Sequence, residues 1–310
     1  MLDPASKARE RSMLLGAISD FALGLLFLAA ALWANSLMMM AEVIRGYILL
    51  ALELVLLVLL RRIQRGAFHD FDYGAGKLEQ FANAGLGTAM GLAGASVAVA
   101  ASYRWWHPPE QVELGLIAAV VLSLVNLVQN GLVLRALWKA GSDGSSVIIT
   151  GQVRTRLAKL ISSGIVLLAL LANALFAGSP IGLFAEVAGS VFVAVVMVQL
   201  AVSMWKQALP SLLDRALEER QQVQINRALI AQFDAYDSLG AVRSRLSGNT
   251  AYVEIELGFL PERTMADIQA AMDRITTELA TLLPGASVTV IPRLAAPAHA
   301  GPGANAWRED

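Results

Sequence analysis

Residues 181–217 read IGLFAEVAGSVFVAVVMVQLAVSMWKQALPSLLDRAL, and two solvents meet inside that one stretch. From Ile181 to Trp205 the only charged residue is Glu186. Such a run is long and apolar enough to cross the roughly 30 Å hydrocarbon layer of a bilayer as a helix. At Lys206 the character changes, and beyond Pro210 polar and charged residues return as in a water-soluble domain. The chain is therefore expected to be an α-helical membrane protein followed by a small soluble α/β domain.

Upstream of this stretch the same apolar signal repeats. Spans are predicted at about 12–34, 37–60, 80–102, 113–137, 147–176 and 181–205, which makes six transmembrane helices. Asn35-Ser36, His107-Pro-Pro-Glu110 and Gly178-Ser-Pro180 supply the breaks. The first run follows Lys7, Arg9 and Arg11 in the manner of a secretory signal. It is too long for one and more spans follow, so it is read as a retained helix. Basic residues fall on one side: Lys7, Arg9 and Arg11; Arg61, Arg62, Arg65 and Lys77; Arg135, Lys139, Arg154 and Arg156; Lys206 and Arg215. The opposite loops hold little beyond Arg104. The positive-inside rule then predicts that both termini are cytoplasmic. The resulting domains are 1–209 for the membrane part, 210–294 for the soluble part, and a disordered Ala-, Pro- and Gly-rich tail at 295–310.

Composition agrees. Of 310 residues, 56% are hydrophobic and 16% charged, too apolar for a soluble domain. A formal net charge of -1 argues against nucleic acid, and the absence of cysteine removes disulfides and thiolate metal sites. No nucleophile–base arrangement, P-loop or dinucleotide fingerprint points to an enzyme. In span three Gly87, Gly91 and Ala95 recur every four residues, and Ala185 and Gly189 do so in span six; this spacing favours close helix packing within the chain over a dimer seam. In the soluble part, Leu217 to Phe233 has an amphipathic helical pattern, Gly240 to Leu246 and Tyr252 to Phe259 read as strands joined by Ser247-Gly-Asn-Thr250, and Thr264 with Asp267 caps a helix that ends at Pro284-Gly285. A last strand at Val288 to Ile291 completes an α-β-β-α-β, ferredoxin-like order.

Three stretches resemble the cation diffusion facilitator family. Phe71-Asp-Tyr-Gly-Ala-Gly-Lys-Leu-Glu79 is similar to the family's loop before span three, F/Y-G-H-G-K-x-E. Ser211-Leu-Leu-Asp-Arg-Ala-Leu217 matches its junction into the cytoplasmic domain, and Ser36-Leu-Met-Met-Met-Ala-Glu42 its entry to span two. The resemblance implies efflux of a divalent cation coupled to protons, as in bacterial zinc/proton antiporters. It also implies an inner-membrane location, a homodimer through the C-terminal domain, and a divalent metal as transported substrate rather than cofactor. It further implies an ion pair between Lys77 and Asp214 that ties span three to the junction.

The family's transport site pairs H/D-x-x-x-D on span two with a second such pair on span five, because residues four apart share a helix face. Here the span-two positions fall on Arg45 and Leu49, with Glu42 and Gly46 in the alternative register, and the span-five positions on Thr155 and Lys159. Fixed cations without a carboxylate pair cannot offset the desolvation of a divalent metal, so the usual site is expected to be absent. The family's loop ligands map to Phe71 and Ala75. His69, Asp70 and Asp72 lie near them and form a possible loop site, though a solvated acidic loop is the simpler reading. Ligand positions of the C-terminal domain fall on Glu256, Ile291 and Arg293, and His107 and His299 stand alone.

Asp20, Glu42, Arg45, Glu53, Lys159 and Glu186 lie in or near spans, where an ionisable group is a functional candidate. Glu42 and Arg45, three apart, are placed to pair, with Lys159 reaching the same carboxylate to pin spans two and five. Asn126, Asn130 and Asn173 are expected to be interhelical hydrogen-bond partners. Two functions remain open: cation efflux through an altered site centred on Glu42, or a nontransporting scaffold or regulatory partner, with a paralogue as a possible companion.

Overall fold

The computed structural model describes residues 4–64, 76–141, 147–247 and 250–295. Six long helices come first: α1 (Pro4–Ala34), α2 (Leu37–Gln64), α3 (Gly76–Trp106), α4 (Glu113–Gly141), α5 (Val147–Leu175) and α6 (Pro180–Leu212). Among the described residues four are long and apolar enough to cross a membrane: Ala17–Ala34 of α1, α3, Glu113–Leu132 of α4, and α6; the apolar part of α5, Lys159–Leu175, is shorter. Helices therefore form at all six expected places, and most extend past the expected ends because hydropathy marks the lipid-soluble part of a helix, not its caps.

The breaks have local causes. Asn35 adopts a left-handed conformation with φ 49°, which stops α1. Ser36 then caps α2, its Oγ accepting from the Met39 amide at 3.3 Å. Gly178, with φ 74°, turns the chain between α5 and α6. Ser179 Oγ accepts from the Gly182 amide at 3.2 Å, and Pro180 occupies the first helical position, where its missing N–H costs nothing.

The chain divides into two compact units. The first takes in α1, α2, α4, α5 and most of α3 and α6. Its core joins Met38, Met39 and Val43 of α2, Met90 and Val97 of α3, Val166 and Leu170 of α5, and Val193 and Met197 of α6. A row of glycines brings α3 onto α6: a Cβ at Gly87 would sit 3.0 Å from Met204 Cβ, at Gly91 3.3 Å from Ala201 Cβ, and at Gly94 3.0 Å from Met197 Cβ. The small-residue stripe thus serves packing within the chain, with one correction. Gly94 takes the third place and Ala95 is exposed, because the contact row follows the 3.6-residue turn rather than a strict repeat of four.

The second unit holds the start of α3, the end of α6 and the C-terminal elements. These are α7 (Glu219–Ala231), a 3-10 turn at Phe233–Ala235, β1 (Ser238–Ser247), β2 (Thr250–Phe259), α8 (Met265–Leu282) and β3 (Ser287–Leu294). Strand β2 is central, antiparallel to β1 and parallel to β3. Its Val253, Ile255 and Leu257 are fully buried in one cluster with Ile225 and Leu229 of α7 and Ile275 and Leu279 of α8. Period-two burial along β2 and the Thr264–Asp267 capping box, with each side chain bonded to the other's backbone N–H, follow the sequence pattern. Of the expected disordered tail only Ala295 is described; the rest lies outside the described residues.

Candidate functional site

Glu42 and Arg45 project from the same side of α2, three residues apart, and form an ion pair through Arg45 Nη2 and Glu42 Oε2. Both side chains are nearly buried, 13% and 10% exposed. The guanidinium also reaches α5, where Nη1 lies 3.5 Å from Ser162 Oγ. Glu42 Oε1 and Ser163 Oγ are each buried with no hydrogen-bond partner among the described residues. The predicted pairing of Glu42 with Arg45 is present, and Ser162 supplies the α5 contact to Arg45. Lys159 is exposed on α5, Leu49 is exposed on α2, and Thr155 lies on α5 with its side chain outside the described residues. Asp20 is exposed and Glu53 half-buried. Among the described residues no three His, Asp or Glu side chains come together in a way that could hold a metal ion. His69, Asp70 and Asp72 lie outside the described residues.

A second polar cluster occupies the end of the bundle where α2 and α6 begin and α3 and α5 finish. Glu186 is 1% exposed. Its Oε1 accepts from the backbone amides of Leu37 at 2.6 Å and Met38 at 3.2 Å, and both oxygens lie 3.0 Å from Ser36 Oγ. Asn173 Nδ2 donates to Oε2 at 3.0 Å, and Arg104 Nη1 stands 3.6 Å from Oε1. A carboxylate from α6 thus satisfies the otherwise open N–H groups at the start of α2. Arg104 also donates to the Asn35 carbonyl at 2.6 Å and to Asn35 Oδ1 at 3.0 Å, fixing the left-handed turn. Sequence reading flagged Glu186 as a charge in a span and Arg104 as the isolated cation of its loops, without joining them. The Asn35-Ser36 break and the Glu186 charge are each visible in the sequence, but nothing in it joins them across 150 residues. Asn173 bridges two helices as expected. Asn130 instead donates within α4, to the Asn126 carbonyl and Oδ1 at 2.9 Å, because residues four apart share a helix face.

In the second unit Lys77 Nζ donates to Asp214 Oδ2 at 2.8 Å, and Arg245 Nη1 lies 3.3 Å from Oδ1. Asp214 has a left-handed backbone, φ 50°, just past the end of α6. The Lys77 ammonium, with Arg245, holds the Asp214 carboxyl below the usual carboxylate range. Glu256 and Arg293, two of the positions compared with metal ligands, form an ion pair at 2.9 Å across β2 and β3.

Residues 13–213 match the family of the cation efflux transmembrane domain. The matched segment covers nearly all of α1 through α6. No curated protein matches the chain.

Proposed function

Because the chain belongs to the cation diffusion facilitator family, we propose that it carries a cation across a bilayer, in exchange for protons, through a rebuilt site between α2 and α5. In this reading all six long helices cross the membrane, with both termini on the cytoplasmic side of a bacterial inner membrane. A homodimer through the C-terminal unit belongs to the same reading.

The observation that carries the proposal is the state of Glu42. One carboxylate oxygen is taken by Arg45, and the other is buried with no partner among the described residues. A buried acceptor without a donor has an outstanding demand that a proton or a cation satisfies. Both bind the same carboxylate, so they exclude one another, which is the requirement for exchange. Ser162 gives the guanidinium a second acceptor to turn to when Glu42 is neutralised.

The test is flux into proteoliposomes under an imposed proton gradient, across zinc, manganese, iron, cobalt, nickel and cadmium. Saturable uptake that collapses the gradient and disappears in Glu42→Gln is the expected result. A second reading rests on the same pair seen from the other side: Arg45 closes onto Glu42 and reaches Ser162, which suits a locked, nontransporting partner in the membrane. Absence of flux from folded protein with every metal tried would make that reading the better one.

A further inference from the structure

The two helices that carry the proposed site are joined a second time, at the start of α2 and the end of α5, by one side chain from a third helix. Glu186 on α6 uses Oε1 for the Leu37 and Met38 amides of α2 and Oε2 for Asn173 of α5. Glu186, Asn173 and Ser36 are all within 2% of full burial. Along α2 the Glu42 side chain follows this capped start by little more than a turn, so the cap that fixes where α2 begins also fixes which way Glu42 and Arg45 face. Arg104 at 3.6 Å supplies the counter-charge that keeps the buried carboxylate in place.

We infer that Glu186 is a positioning residue for the α2–α5 site: by bonding α2 and α5 together at the Asn35 end, it holds Glu42 and Arg45 against Ser162. The inference rests on the reading of that site as the transport site. Glu186 does not touch the cargo; it acts through the helices. Removing it leaves the part-buried Leu37 amide and the buried Met38 amide without this acceptor and frees Asn173, and the site between α2 and α5 opens more often.

The sequence contains no cysteine, so single introduced thiols report without background. S163C places a thiol beside Ser162, about 15 Å along α5 from Asn173. A84C places a control on α3, where Ala84 is also buried. The rate of labelling by a small water-soluble methanethiosulfonate is measured in proteoliposomes. Adding Glu186→Ala is expected to raise the S163C rate roughly tenfold, the effect of losing one or more buried acceptors, with A84C unchanged. Asn173→Ala, which removes only the α5 arm, gives a smaller rise. Glu186→Gln, whose carbonyl still accepts from the α2 amides, returns the rate toward that of S163C alone.

An unchanged S163C rate with Glu186→Ala, or an equal rise at both reporters, overturns the inference; the latter is what general loosening produces. Should Glu186→Ala not fold, Asn173→Ala decides, and no response there overturns it. Flux is scored separately. Labelling that follows the expectation while flux survives Glu42→Gln leaves the positioning role standing and removes Glu42 as the transport carboxylate; the same labelling with no flux at all removes the transport reading. The reverse pattern removes the positioning role alone.

Discussion

The Glu42–Arg45 pair was legible because three-residue spacing on a helix dictates it. Its α5 contact was not: Ser162 and Lys159 lie within a turn of each other on α5, and only the rotation of that helix decides that Ser162 faces Arg45. Glu186 shows the same limit more sharply. Its charge was visible in the sequence, but the amides it serves belong to backbone, and backbone leaves no residue-type signature. Breaking one partner of a nearly buried pair strands the other, so Arg45→Met is expected to destabilise the protein by about 3–5 kcal/mol. The double variant Glu42→Gln with Arg45→Met recovers most of that loss, because no isolated charge remains. Thermal unfolding of the purified variants in detergent checks both outcomes.

Among the elements, helix positions and the packing role of the small-residue stripe on α3 were readable, since apolar length and small-residue spacing both follow from the need to satisfy and pack backbones in lipid, but that α6 is its partner was not. Which helix meets which at an end was hidden. Gly115, at the start of α4, is such a case: a Cβ there would lie 2.6 Å from the Cα and the N of Ala34, where only backbone movement gives relief. Gly115→Ala is therefore expected to destabilise the protein by roughly 1–3 kcal/mol, the usual scale of overpacking. Gly85→Ala, whose added methyl meets nothing within 4 Å, is expected to be neutral or slightly stabilising. The two melting temperatures, measured side by side, check the pair.

For the whole molecule, the transition from apolar helices to a small sheet-containing unit was written in composition, and the capping box and β2 in local pattern. The ion pairs of that unit were mostly not, because they join residues far apart in sequence. Two of them contribute to its acid response. Asp214 is held below the normal carboxylate range first by Lys77, and Asp237 first by Arg263, which binds it at 3.0 Å. A depressed folded value contributes stability that is fully present above the unfolded value of about 3.9 and is lost as pH falls through the folded one. The melting temperature of the C-terminal unit is thus expected to be insensitive to these groups from pH 7 to about 5, and to fall below about pH 4. Asp214→Asn and Asp237→Asn should each flatten that acid limb, which a pH series of thermal scans on the full chain checks. The trans cap on α2 has a consequence of another kind, in time. At a synthesis rate of about 5–20 residues per second, Ser36 is made about 8–30 s before Glu186, 150 residues later. Through that interval the α1–α2 hairpin waits in the nascent chain with its first amides served by Ser36 and water, and the arrival of α6 is the event that seals it.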